Sequence, residues 1–149
     1  MQVSDNGRAL IENFEGLRLK AYLCPAGVPT IGYGHTDGVK RSDVGVRTIT
    51  TQEADALLEQ DLEEVAPQVM SAVHAPINQD QFDALCSFTF NLGAGALRSS
   101  TLLKKVNARA YDDVPEQFMR WVHGGGQLLD GLVARRTAEV KLWNGEDWR

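Results

Sequence analysis

From Leu17 to Ile49 the helical repeat of apolar residues disappears, and Gly27, Pro29, Gly32, Gly34, Gly38 and Gly45 break the chain into short extended pieces. Sequence on both sides of this window is patterned for helices. A chain built this way is expected to fold α+β, with a small antiparallel sheet made from pieces at about 18–23, 29–34 and 46–49.

The helical stretches carry their own start and stop signals. Ser4 is placed to cap a helix over 4–15 that buries Leu10, Ile11 and Phe14, with Gly16 as its stop. Thr50 and Glu53 form a capping-box pair opening a second helix along Ala54, Leu57, Leu58, Leu62 and Val65, which Pro67 should restart or kink. Asn78 caps NQDQFDALCSFTFNLG, whose Phe82, Leu85, Cys86, Phe88 and Phe90 fall on several faces, the pattern of a central core helix ended by Gly93. Shorter helices are expected at about 100–108 and 112–122. The loop HGGGQLLDG and a last helix from about Leu132 to Leu142 complete the chain.

Length and charge narrow the function classes. The 149 residues fit one domain with a core of its own, and no run of about eighteen apolar residues is present to span a membrane. The charged N-terminus lacks the apolar centre of an export signal, so a cytoplasmic start is expected. Residues 51–97 hold eight Asp and Glu and no Lys or Arg. Contiguous positive surface is what nucleic acid and anionic membranes bind, so the acidic middle argues against both and reads as a solvated helix face. Two cysteines, Cys24 and Cys86, do not make a disulfide framework. The three histidines show no metal-ligand spacing, so neither a metal nor another cofactor is expected.

The chemistry-bearing residues gather in ENFEGLRLKAYLCPAGVPTIGYGHT. Glu15 ends the first helix, Cys24 follows after eight residues and Thr30 after five more. An acid, a second polar group and a hydroxyl around one small site suit hydrolysis by a positioned water. Phe14 and the helix C-terminus beside Glu15 both favour a carboxyl that holds a proton, as a general acid must; an exposed helix-end glutamate is the structural alternative. Cys24 would serve as a weak base if ionised, yet an ordinary thiol is mostly protonated at neutral pH, and a small buried hydrophobe is the alternative. Thr30 can orient a water, or be one β-branched strand residue among others. His35 is a candidate base or substrate contact, with a hydrogen-bonded structural histidine as the competing reading. Arg135 and Arg136 are adjacent and cannot share one helix face, so one should pair with an acid or frame the substrate while the other faces solvent.

Four separated segments, FEGLRLKAY through TIGYGHT, QFDALCSFTFNLG, STLLKKVNA and GLVARRTAEVKLW, together resemble the bacteriophage-type lysozymes, the muramidase endolysins. The resemblance covers nearly the whole chain. It implies one lysozyme-like catalytic domain over 1–149, in which a small antiparallel β-lobe at about 17–49 and a larger helical lobe at about 50–149, with the helix 4–15, flank a substrate cleft. It implies cleavage of the β-1,4 bond between N-acetylmuramic acid and N-acetylglucosamine in peptidoglycan, with Glu15 as general acid, Cys24 as its partner and Thr30 as the water-positioning hydroxyl. It also implies a monomer that waits in the host cytoplasm until a holin opens the membrane. Aspartate is commoner than cysteine at the position of Cys24. That departure keeps two further expectations open, a lytic transglycosylase and an inactive peptidoglycan-binding relative.

Overall fold

A computed structural model describes residues 1–149. The elements run α1 (Asp5–Glu15), β1 (Arg18–Leu23), β2 (Pro29–Gly32), α2 (Thr51–Ala72), α3 (Gln79–Leu92), α4 (Ala94–Ser99), α5 (Thr101–Asn107), α6 (Val114–Phe118), β3 (His123–Gly124), β4 (Gln127–Leu128) and α7 (Asp130–Trp143). Single 3₁₀ turns sit at Arg41–Asp43 and Tyr111–Asp113. The chain divides into two compact units, Glu12–Glu64 and the combination of Met1–Ile11 with Val65–Arg149. No helix is long and apolar enough to cross a membrane.

Within Glu12–Glu64, β1 and β2 pair antiparallel, with Arg18 opposite Gly32, Tyr22 opposite Thr30 and Leu23 opposite Pro29. Between the first two pairs β1 has three residues, Leu19, Lys20 and Ala21, where β2 has only Ile31, so β1 bulges there. The piece expected as a third strand at 46–49 lies along β1 without forming a regular ladder: Ala21 donates to the Arg47 carbonyl, Ile49 to the Leu19 carbonyl, and Lys20 bridges Thr48. Strand β2 ends at Gly32 rather than 34, because the Ile31 and His35 backbones bond each other across Gly32, Tyr33 and Gly34. The two glycines take φ +68° and +71°, the left-handed conformation such a tight reversal needs. Ala21, Ile31, Ile49 and Ala54 form the core of this unit, with Tyr33, Val39 and Leu57 packed against it.

In the other unit the buried faces of α3 and α7 pack together. Phe88 makes edge-to-face contacts with Phe118 at 5.8 Å and Trp121 at 5.4 Å, and Phe118 meets Trp143 at 6.1 Å between ring centroids. The caps read from sequence are in place. The Gly7 N–H bonds the Ser4 hydroxyl, Thr50 and Glu53 exchange hydrogen bonds, and Asn78 and Gln81 do the same. Helix α2 runs through Pro67 as one element. Pro67 is exposed, so the one missing N–H bond lies on the solvent side of the helix. Phe90 is half-buried rather than core, whereas Asp83, Ser87 and Thr89 of α3 are buried. The stretch 112–122 shrinks to a 3₁₀ turn and α6, and α4 precedes the expected 100–108 helix. The HGGGQLLDG loop holds a hairpin in which Gly124 pairs with Gln127 around Gly125 and Gly126, at φ +58° and +78°.

Candidate active site

Glu15 is the last residue of α1, half-buried, and the chain leaves the helix through Gly16 at φ +71°. The carboxyl reaches the reversal after β2. A Cβ at Gly34 would collide with Glu15 Oε1 and lie 3.1 Å from its Cδ. The bare glycine backbone is therefore one wall of the seat that holds the carboxylate. His35, next in the chain, is buried and turns its Nδ1 to Asp61 on α2, at 2.9 Å from Oδ2 and 3.1 Å from Oδ1. That contact ties the reversal to α2 and fixes the backbone that flanks Glu15.

Cys24 opens the turn between β1 and β2. Its N–H donates to the Val28 carbonyl at 3.0 Å, its own carbonyl accepts from Gly27 at 2.8 Å, and Gly27 takes φ +77°. The three intervening residues, Pro25, Ala26 and Gly27, suit such a loop, with proline at the first position and glycine where the backbone turns left-handed. This turn aims backbone amides at the sulfur. A hydrogen bond from the Val28 N–H lowers the Cys24 thiol below its ordinary value, helped by the Ala26 N–H and the Thr30 hydroxyl, with a smaller opposing effect of burial. Cys24 is half-buried and free, not the buried hydrophobe that remained an alternative.

Thr30 is buried and donates its hydroxyl to the Val28 carbonyl at 2.8 Å. A hydroxyl carries one proton, so Thr30 serves either that carbonyl or the Cys24 sulfur, and keeps lone pairs to accept from a third group. Tyr22, directly across the ladder from Thr30, stacks under the Arg18 guanidinium at 4.2 Å. Burial raises its phenol, Arg18 opposes that, and the charges of Glu15 and Cys24 raise it further. Tyr22 is thus within electrostatic range of both catalytic candidates. Sequence reading missed Tyr22, Gly34 and Asp61; the G-x-G spacing of TIGYGHT was the available signal for Gly34.

Arg135 and Arg136 belong to the other unit, and neither faces solvent as expected: they are 4% and 0% exposed. Glu139 explains this. It stands four residues after Arg135 and three after Arg136, spacings from which both neighbours can reach one carboxylate. Arg136 Nε lies 2.6 Å from Glu139 Oε1, though its N–H is not directed along that contact, and Arg136 Nη2 donates to Oε2 at 3.1 Å. Arg135 Nε lies 3.5 Å from Oε2. Ser87 donates to the same Oε2 at 2.6 Å, and Arg136 also donates to Asn91 at 2.7 Å. Burial pushes the Glu139 carboxyl up and the Arg136 guanidinium down, and each charge opposes the other's shift. The pair of arginines thus forms part of the packing of α7 on α3.

Comparison with known proteins agrees with this architecture. The phage lysozyme family matches residues 12–139. The chain is 43% identical over 147 residues to an endolysin of Acyrthosiphon pisum secondary endosymbiont phage 1, covering 96% of this chain and 98% of that one. It is 41% identical over 144 residues to the endolysin of Salmonella phage P22, with the same coverage of each. Among solved structures it superposes on the muramidase domain of SpmX from Asticaccaulis excentricus with a TM-score of 0.86 at 38% identity, over 95% of this chain and 97% of that one. Matched along nearly its full length by family, sequence and fold, the chain belongs to the phage lysozyme family, and it is a peptidoglycan-cleaving glycoside hydrolase of the endolysin type.

Proposed function

We propose that the chain hydrolyses the β-1,4 bond between N-acetylmuramic acid and N-acetylglucosamine with Glu15, Cys24 and Thr30. Glu15 gives its proton to the glycosidic oxygen as the bond to the anomeric carbon breaks. Water adds to that carbon, giving up its proton to the Cys24 thiolate while the Thr30 hydroxyl orients it. The observation that carries this reading is the set of donors gathered on Cys24 Sγ, since they favour the anion that a water-activating group must be. His35 supports the site through its contact with Asp61 rather than by touching glycan, while the Arg135–Arg136 pair serves the packing of α7 on α3 through Glu139.

Removing the transferable proton with Glu15→Gln should lower turnover by about 10²–10⁴-fold with little change in melting temperature, because the residue ends a helix. Mass spectrometry of digested peptidoglycan should show reducing ends. Anhydro ends would make the chain a transglycosylase, absence of products a binding protein, and an undiminished Glu15→Gln would remove the acid from this residue.

We further propose that the enzyme acts as a monomer on the cell wall and that access depends on a separate membrane-permeabilising protein of the holin type. Bacteria expressing the chain alone should stay intact until chloroform is added. Lysis with no membrane damage would count against that dependence.

A further inference from the structure

We propose that Gly34 is a positioning residue for hydrolysis: its missing side chain is the space that the Glu15 carboxylate occupies, so residue 34 sets where the proton donor stands. This rests on Glu15 being the acid. Two independent requirements meet at Gly34. Its φ of +71° lies in the left-handed region, and a Cβ there would overlap Glu15 Oε1, with Cδ at 3.1 Å and Cγ at 3.6 Å. The first requirement is shared with other turn glycines. Gly38 has φ +72° and Gly27 has φ +77°, and a Cβ at either meets nothing within 4 Å. Only the second is specific to the site.

The colliding atoms sit at the far end of a flexible side chain, which decides how the conflict resolves. A methyl group at 34 is accommodated by swinging the carboxylate aside rather than by moving the backbone, which the mutual Ile31–His35 bonds and the His35–Asp61 contact hold in place. Stability should then register chiefly the backbone strain, while catalysis registers the displaced acid. A displacement of about 1 Å in a reacting group can cost about 10²-fold in rate.

The experiment compares Gly34→Ala with Gly38→Ala, which carries the same backbone strain without the overlap. Both should melt at similar temperatures. Gly34→Ala should lose at least about tenfold in kcat with KM little changed, and Gly38→Ala should keep kcat near that of the parent. Glu15→Asp, whose shorter side chain withdraws the carboxylate from residue 34, supplies the second measurement. Placed on Gly34→Ala it should cost clearly less activity than it costs in the parent, since the two changes act on one contact. Equal kcat for the two alanine variants, or strict additivity of Glu15→Asp with Gly34→Ala, would overturn the proposal. Should Gly34→Ala melt far below Gly38→Ala, the glycine is required by the fold and the proposal fails as well. If Glu15→Gln is itself fully active, the acid assignment falls first; if it is inactive while Gly34→Ala is not, only the role of Gly34 falls.

Discussion

Single side chains divide here by which donors and charges surround them, as the two cysteines show. Amides at the β1–β2 turn lower the Cys24 thiol, whereas burial in α3 pushes Cys86 far up, aided by the neighbouring Asp83 charge. A thiolate is the form that alkylates, so iodoacetamide should modify Cys24 alone. Its rate should reach half-maximum at a lower pH than that of an unperturbed thiol, because lowering the thiol moves ionisation to lower pH. Peptide mapping checks both points, and modification of Cys86 in the native protein would contradict them. The same logic predicts that Cys24→Asp keeps or raises peptidoglycan hydrolysis, since a carboxylate is charged at neutral pH, while Cys24→Ala loses it with little change in melting. Turbidity clearing of a cell-wall suspension measures the difference.

At the scale of elements, helix ends and shared partners matter most. Helix α5 closes with a left-handed residue that is not glycine. Arg109 has φ +59°, its N–H donates to Val106, and the Ala110 N–H reaches back to Lys105, the paired bonds of a Schellman ending. A side chain in that conformation is strained, so Arg109→Gly should stabilise the protein by about 1 kcal/mol in thermal or urea unfolding. Between α3 and α7 the opposite holds. Glu139 is the carboxylate that both buried arginines reach, and Glu139→Gln should cost about 3–5 kcal/mol by leaving positive charge buried without its counterion. A melting temperature close to the parent's would show that the arginines find other partners.

At the scale of the whole molecule, nothing covalent beyond the backbone holds the fold, since both cysteines are free. Melting should therefore be unchanged by a reductant such as dithiothreitol, and a drop in its presence would reveal a disulfide. Much of this architecture was legible from the chain alone. Glycine and proline density announced the small sheet, and Ser4, Thr50 with Glu53, and Asn78 announced their helices, because caps and turns are local and their signals lie a few residues apart. The order Glu15, Cys24, Thr30 was likewise visible, since one helix end and one hairpin carry it. What stayed hidden depends on approach between distant segments. Periodicity tells which face a residue occupies, not what it meets there. By sequence Asp61 is one more charge on an acidic helix and Gly34 a turn former; only the fold sets His35 against the first and the Glu15 carboxylate beside the second. Arg135 and Arg136 looked divided between interior and solvent because adjacent helical positions diverge; α3 and α7 packing together, with Glu139 within reach of both, buried the two of them. Sequence thus determined the elements, their limits and the residues able to do chemistry, which follow from local sterics and hydrogen bonding, while tertiary packing alone decided each one's surroundings.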